Sequence, residues 1–392
     1  MIDAVMPTYA RAEVAFETGE GPYLTATDGR RFLDFGAGIA VTALGHCHPH
    51  LVDALRDQAG KLWHCSNLYR VPGQEKLAQR LVDATFADTV FFTNSGAEAM
   101  ECGLKIVRRH FDQAGQPERY RVICCANAFH GRTLATIAAG GQSHLLDGFD
   151  PVVGGFDHVA FGNLNEMRAA ITPETAAILV EPIQGEGGIF PATTDYLKGL
   201  REIADEFGLI LFFDEVQSGV GRSGKLFAHE WAGIEPDVMA VAKGLGGGFP
   251  VGACLVREQF ASLVPGTHGT TFGGNPLAMA AANAVLDVVL SEGFLAGVDA
   301  VARRFRARLE ALVADHGGVL SEVRGFGLMQ GVKCVGENKA LVSKLFDNGL
   351  LAIGAGDNVV RFVPPLIIED RHVDEAMAVL DASCRELGEG SA

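Results

Sequence analysis

Residues 238–252 read VMAVAKGLGGGFPVG. An apolar, strand-like run ends on one lysine, Lys243, and a glycine-rich turn follows. Lysine is among the residues least often buried without a partner. At a strand end it usually lays its stem on protein and its ammonium in water. The surrounding chain decides whether Lys243 is such a surface lysine. Upstream, LILFFDE (209–215), AAILVEP (176–182), RVICCA (121–126) and TVFFTN (89–94) are nearly continuous apolar runs. Helical patterns separate them, including YLKGLREIADEFG (196–208) and AEAMECGLKIVRRHF (97–111). In the latter Ala97, Met100, Leu104, Val107 and Phe111 share one face. Strands of this kind, alternating with helices, predict an α/β fold with a mostly parallel sheet covered on both faces.

The pattern changes beyond Pro276. Two long helical segments lead into short strands, VLSEVRG (319–325), LMQGVKC (328–334) and VVRFVPP (359–365), which alternate with helices. This predicts a smaller α+β domain. Near the start, YLTATDGRRFLDF (23–35) reads as a hairpin turning at Asp28-Gly29. The expected division is an N-terminal segment over 1–48 packing with the small domain, a large domain over 49–285 and a small C-terminal domain over 286–392. A chain of 392 residues is too long for one ordinary core.

Charge narrows the partners. Lys and Arg total 32 against 48 Asp and Glu, a formal net charge of −16. An acidic surface repels nucleic acid and anionic membranes, so small molecules are the expected partners. No apolar stretch reaches membrane-spanning length. The opening MIDAVMPTYARAEVAFETGEG lacks the basic-then-apolar order of a signal peptide. Eight scattered cysteines form no C-x-x-C, and with the absent leader they predict the reducing cytoplasm.

Ligands of open α/β sheets bind at the carboxyl ends of the strands. Those ends here are Asn94-Ser95-Gly96, Glu181, Asp214-Glu215 and Lys243. Ser95 or Asn94 reads as a helix cap, and the N–H groups that follow suit a phosphate. A carboxylate at the end of LILFF needs a cationic or protonated partner. His46, His48 and His50 in GHCHPHL raise a metal site, but no H-E-x-x-H or cysteine pair accompanies them, so none is expected. The lysine precedes its glycines, opposite to a nucleotide P-loop.

With these residues in place, the chain resembles the class III (ω-type) pyridoxal-phosphate (PLP) aminotransferases of fold type I. The resemblance runs from about residue 15 to about 385. It rests on NSGAEAME (94–101), AFHGRT (128–133), VEPIQGEGG (180–188), FDEVQSGVGR (213–222), AKGLGGGFPVG (242–252) and THGTTFGGNP (267–276). It implies that Lys243 carries PLP covalently and that Asp214 faces the pyridine nitrogen. It implies cofactor contacts from Ser95, Gly96, Ala97, Phe129, Glu215, Val216, Gln217 and Thr271. Thr271 is expected to come from the other subunit, making a homodimer with shared active sites. Arg132, Glu186, Thr270 and Arg361 are implied for substrate, with Glu186 and Arg361 forming a switchable ion pair. The implied reaction moves the terminal amine of N2-acetyl-L-ornithine to 2-oxoglutarate. Succinylornithine, succinyl-diaminopimelate, ornithine and 4-aminobutyrate are the alternative donors. Two departures bear on the donor. Where ornithine-specific relatives carry a tyrosine in the segment matching DFGAGIAV, this chain has Ile39, which suits an acylated amine, and Arg70 stands where a second tyrosine is common. A PLP-binding scaffold without catalysis is the other reading, and the intact Lys243, Asp214 and Arg132 argue against it.

Overall fold

The computed structural model describes residues 4–389. Residues 1–3 and 390–392, at the outer ends of the expected N-terminal segment and C-terminal domain, lie outside the described residues. A seven-stranded sheet forms the centre, in the spatial order Thr89–Thr93, Gly252–Val256, Val238–Val241, Ile210–Asp214, Thr175–Val180, Arg121–Cys125 and Phe156–Val159. Every neighbouring pair is parallel except the two made by Gly252–Val256, which is antiparallel to both strands beside it. The four strands Thr175–Val180, Ile210–Asp214, Val238–Val241 and Gly252–Val256 are buried along their whole length, as their unbroken apolar runs require.

Register brings the polar strand ends together. Phe213 pairs with Val180 and Asp214 with Ala240. Glu181, Asp214 and the segment leading to Lys243 therefore leave one edge of the sheet side by side. Gly252 pairs with Thr93 at the same edge. A Cβ on Gly252 would collide with Thr93 and with the carbonyl of Ser95, so only glycine lets that strand lie against the start of the next helix.

The smaller part pairs strands Leu320–Phe326, Met329–Cys334, Val359–Phe362 and Ile353–Ala355 in one antiparallel sheet. The expected hairpin forms, Tyr23–Ala26 against Arg31–Asp34, with Gly29 at φ 85° in its turn. Its strand Arg31–Asp34 pairs with Leu350–Leu351. Phe35 meets Phe305 edge to face with ring centroids 5.6 Å apart, and Leu33, Phe35 and Ala43 share a core with residues of the C-terminal part. The expected boundary at residue 285 falls within a helix. Residue 285 lies inside the unbroken helix Pro276–Val289, whose Val285, Leu286 and Val289 belong to the large core. That helix therefore packs as a unit with the large core.

Candidate active site

The strand ends open into a cavity of about 440 Å³. Its walls include Ser95, Gly96, Ala97, Phe129, Arg132, Asp214, Val216, Gln217 and Lys243. His130, Glu181, Asn94, Val41 and Phe249 also line it.

Lys243 begins a short 3-10 turn with φ 44°, a left-handed backbone that a non-glycine residue adopts at a cost of about 1–3 kcal/mol. It is partly open to the cavity yet enclosed enough that burial draws its amine down to about 8. The charge of Glu186 acts upward, Arg361 acts downward, and Asp214 and Glu181 act upward. With a value near 8, about a tenth of such amines is unprotonated, and so nucleophilic, at pH 7, far more than for an ordinary lysine.

Asp214 ends a fully buried strand. Its Oδ1 accepts from Val216 N at 3.0 Å, and its Oδ2 lies 2.8 Å from His130 Nδ1. His130 is the partner that a carboxylate at this position required. Burial works against a charged imidazole, but the hydrogen bond and charge of Asp214 prevail and raise its affinity for the proton. Glu181 Oε1 accepts from Phe129 N at 2.9 Å and its Oε2 from Gly185 N at 3.2 Å. Burial lifts that carboxyl to about 7.

Ser95 caps the helix Gly96–Gln113, accepting from Glu98 N at 3.2 Å. The N–H groups of the first turn have no acceptor within a helix. A Cβ on Gly96 would lie 2.7 Å from Val216 Cγ1, so glycine keeps the helix start close against the cavity wall. A helix start of this kind favours an anion.

Arg361 is wholly buried in the strand Val359–Phe362. It donates to Glu186 Oε1 at 2.5 Å, to Glu186 Oε2 at 3.2 Å and to Gln217 Oε1 at 2.9 Å. Burial opposes the ionised Glu186, but Arg361 outweighs it and holds the carboxyl below its usual range. Arg132 is exposed at the cavity rim, its guanidinium 5.6 Å from the Phe129 ring centre. Among the described residues it has no carboxylate partner.

Several residues singled out in the sequence lie outside this cavity, among them Thr271, which is expected to serve the other subunit's site. Glu215 turns away: its carboxylate accepts from Ser218 Oγ, Ala228 N and His229 N at 2.6, 2.9 and 2.9 Å, so it braces a neighbouring turn instead of facing a ligand. Thr270 and Thr271 line a separate hollow with Phe91 and His268, although Thr270 Oγ1 accepts from Asn94 Nδ2 at 3.4 Å. Ile39 is 37% exposed and outside the lining, and Val41 supplies the apolar wall instead. Arg70 is exposed and paired with Glu75 at 2.6 Å. The three histidines diverge, with His46 bound to Asp34 and His50 to Asp287.

A primary amine held near neutrality, a carboxylate at the base, an aromatic wall and a helix start together fit PLP. They offer, in that order, a nucleophile for its aldehyde, an anion for its ring nitrogen, a stacking surface and donors for its phosphate.

The family model for class-III aminotransferases matches residues 5–383. The chain is 57% identical over 390 residues to an acetylornithine aminotransferase of Mesorhizobium japonicum, covering 99% of this chain and 98% of that one. It resembles the crystal structure of N-acetylornithine aminotransferase from Stenotrophomonas maltophilia K279a, with TM-score 0.86, 38% identity and coverage of 97% and 98%. It also resembles the ornithine aminotransferase of Toxoplasma gondii ME49, with TM-score 0.95, 31% identity and coverage of 99% and 94%.

Proposed function

The chain belongs to the class-III aminotransferase family, and from that premise we propose that it moves the terminal amino group of N2-acetyl-L-ornithine to 2-oxoglutarate. The products are N-acetylglutamate 5-semialdehyde and L-glutamate, the reaction is reversible, and it is a step of arginine biosynthesis. Enzymes of this family depend on PLP. When bound, that cofactor supplies an electron-accepting ring and a carbonyl that carries the amino group between the two substrates.

The observation that carries the proposal is the convergence of Lys243, Asp214 and the Gly96 helix start in one cavity. Lys243, with its amine near 8, attaches the cofactor. The same amine would also move the proton at the donor's reacting carbon, acting as general base and then as general acid. Asp214 would supply the negative charge that keeps a ring nitrogen protonated, and Phe129 and Val216 would wall the ring. Gly96 and Ala97 would present N–H groups to the phosphate, with Ser95 beside them, and Gln217, whose Oε1 accepts from Arg361, would donate from Nε2 to the ring oxygen. Arg132, uncommitted at the rim, takes the substrate carboxylate farthest from the reacting carbon, where its planar fork suits two oxygens. Val41 gives the donor's acylated amine an apolar neighbour.

The two substrates differ in one respect that the Glu186–Arg361 pair answers. Acetylornithine brings a terminal amine with no carboxylate beside it. Glutamate brings an α-carboxylate next to the reacting carbon. Glu186 covers Arg361 for the first donor and leaves it for the second.

A second copy of the chain completes the reading. Leu62, Trp63, Leu68, Tyr69 and Phe272 are large apolar side chains that are 47–87% exposed. They belong to one surface, since His64 meets the Phe272 ring at 5.5 Å and Asn67 donates to the carbonyls of Thr270 and Gly273. A homodimer would cover them and carry Thr270 and Thr271 toward the partner's cavity. The cytoplasm suits the unpaired cysteines. No helix among the described residues is long and apolar enough to cross a membrane.

Borohydride reduction of PLP-loaded protein, followed by peptide mass mapping, tests the core of the proposal. The expected result is pyridoxyl mass on the Lys243 peptide. Label on another lysine, or on none, contradicts it. Sedimentation at several concentrations tests the dimer, and a monomer throughout would exclude it.

A further inference from the structure

A second cavity lies away from the first and shares no lining residue with it. It spans about 610 Å³ between the N-terminal hairpin and the start of the helix Asp370–Glu389. Thr18 pairs with Thr25, Thr25 with Arg31, and Glu20 with Tyr23. Opposed residues of antiparallel strands share a face, and so do residues two apart along one strand. These side chains therefore stand on one face of the sheet. The other face is packed, for a Cβ on Gly19 would lie 2.7 Å from His46 Cβ. The helix start, with Glu369, Arg371 and His372, forms the opposite wall of the cleft.

Most of the polar groups in the cleft are already committed. Tyr23 donates its hydroxyl to Glu375 Oε2 at 2.6 Å and meets the His372 ring edge-on at 5.7 Å. Arg371 is paired with Glu369 at 2.9 Å. His372 Nδ1 accepts from Glu369 N at 2.8 Å, and burial lowers its affinity for a proton, so it adds no charge. Two groups are left over. The Arg31 guanidinium lies over the Tyr23 ring, 3.5 Å from its centre. That contact fixes the guanidinium plane and leaves its N–H edge open, and among the described residues Arg31 has no carboxylate partner. Glu20 likewise has no ion-pair partner among the described residues. The strand Tyr23–Ala26 lies between them, which sets their backbones roughly 10 Å apart, a span that two long side chains shorten.

We propose that this cleft binds a free basic amino acid, its carboxylate on the Arg31 fork and its distal cation on Glu20. A simple anion would satisfy Arg31 and be repelled by Glu20. An amino acid with an apolar tail carries both charges on one carbon, too close together to reach both groups. A basic amino acid separates a carboxylate from a cation by the length of its side chain, and its net positive charge suits a chain of formal charge −16. The hydroxyl of Thr25, opposite Arg31 in the sheet, stands where it can accept from the α-ammonium.

Titration calorimetry of PLP-loaded protein with L-arginine tests this. Its tail is a guanidinium and not a transferable amine, and the absorbance of the bound cofactor reports separately on entry into the first cavity. Saturable binding is expected in wild type. Arg31→Gln should weaken it about tenfold or more, the loss of one charge-assisted fork, and Arg31→Lys should weaken it less, since the charge remains. Glu20→Gln should weaken arginine binding about tenfold and leave L-norvaline, which lacks the distal cation, unchanged. Both variants should keep the wild-type acetylornithine half reaction. Hydrogen exchange on wild type, which needs no variant, should slow over residues 18–25 and 369–373 when arginine is added. No saturable binding, binding at wild-type strength in Arg31→Gln and Glu20→Gln, or protection confined to the first cavity would overturn the proposal. If Arg31→Gln fails to fold, Arg31→Lys and hydrogen exchange still decide it.

Discussion

Removing the Glu186 carboxylate should loosen the enzyme's choice between its two amine donors. Arg361 is 0% exposed and receives Glu186 through two hydrogen bonds, 2.5 and 3.2 Å long. An incoming α-carboxylate must displace both. A hydrogen bond to a charged group contributes about 1.5–3 kcal/mol net. Glu186 regains part of its loss on leaving, because its side chain is already 27% exposed. Taking one such bond, about 1.5 kcal/mol, as the uncompensated part gives roughly tenfold in affinity. In Glu186→Ala the preference for acetylornithine over glutamate should therefore fall about tenfold, with the glutamate half reaction preserved or faster. Arg361→Ala should act the other way. It loses both bonds to glutamate, so that half reaction should slow roughly a hundredfold, while acetylornithine changes by less than about threefold. Single-turnover rates with each donor, followed by the absorbance of the bound cofactor, give all four numbers. Equal losses for both donors in either variant would refute the reasoning and leave Glu186 and Arg361 a fixed structural pair.

Three further outcomes follow from other parts of the molecule. Attachment of PLP to cofactor-free protein should quicken as pH rises through about 8, because burial lowers the Lys243 amine to that value and only its neutral form reacts; Lys243→Arg, always charged, should attach none at any pH, and a rate indifferent to pH would count against the buried amine. Glu181 has its carboxyl raised from the usual 4.5 to about 7, so the folded protein keeps a proton that the unfolded chain releases, and stability should decline as pH climbs between those values. Glu181→Gln should flatten that decline in denaturant titrations of cofactor-free protein, and an unchanged slope would exclude the assignment. A Cβ at Gly103, inside the helix Gly96–Gln113, would overlap the buried ring of Phe212, so Gly103→Ala should lose about 1–3 kcal/mol of stability by overpacking, visible as a lowered melting temperature; an unshifted melt would show that the ring moves freely.

The parts of the fold that were legible are those with a strong periodic or compositional cause. Buried parallel strands such as Ile210–Asp214 must be apolar throughout, and their polar terminators must lie at one sheet edge, so Asp214, Glu181 and Lys243 could be placed together before any coordinates. The need of Asp214 for a protonated partner was equally legible. The identity of that partner was not, because His130 sits in an irregular loop where spacing carries no information. The inward bracing of Glu215 was readable. Successive residues leaving a strand face opposite ways, so Asp214 and Glu215 could not both point into one cavity. Ile39 has φ 67° in a turn of several positive-φ residues, a local path that an apolar segment does not announce, and this passes the cavity wall to Val41. The run of the helix past residue 285 was hidden for a similar reason. The helix Pro276–Val289 is apolar on most sides and nothing at residue 285 marks a break.

The central claim is that one cavity, with Lys243 at its centre, takes the terminal amine of an acylated ornithine. Its most direct test is a half-reaction panel on PLP-loaded wild type, offering N2-acetylornithine, N2-succinylornithine, ornithine, 4-aminobutyrate and glutamate one at a time and recording the change in bound-cofactor absorbance. The expected result is rapid conversion by acetylornithine and by glutamate, slower conversion by ornithine and 4-aminobutyrate, and none by any donor in Lys243→Ala. Conversion led by ornithine or 4-aminobutyrate, or no conversion by any of the five, would contradict it.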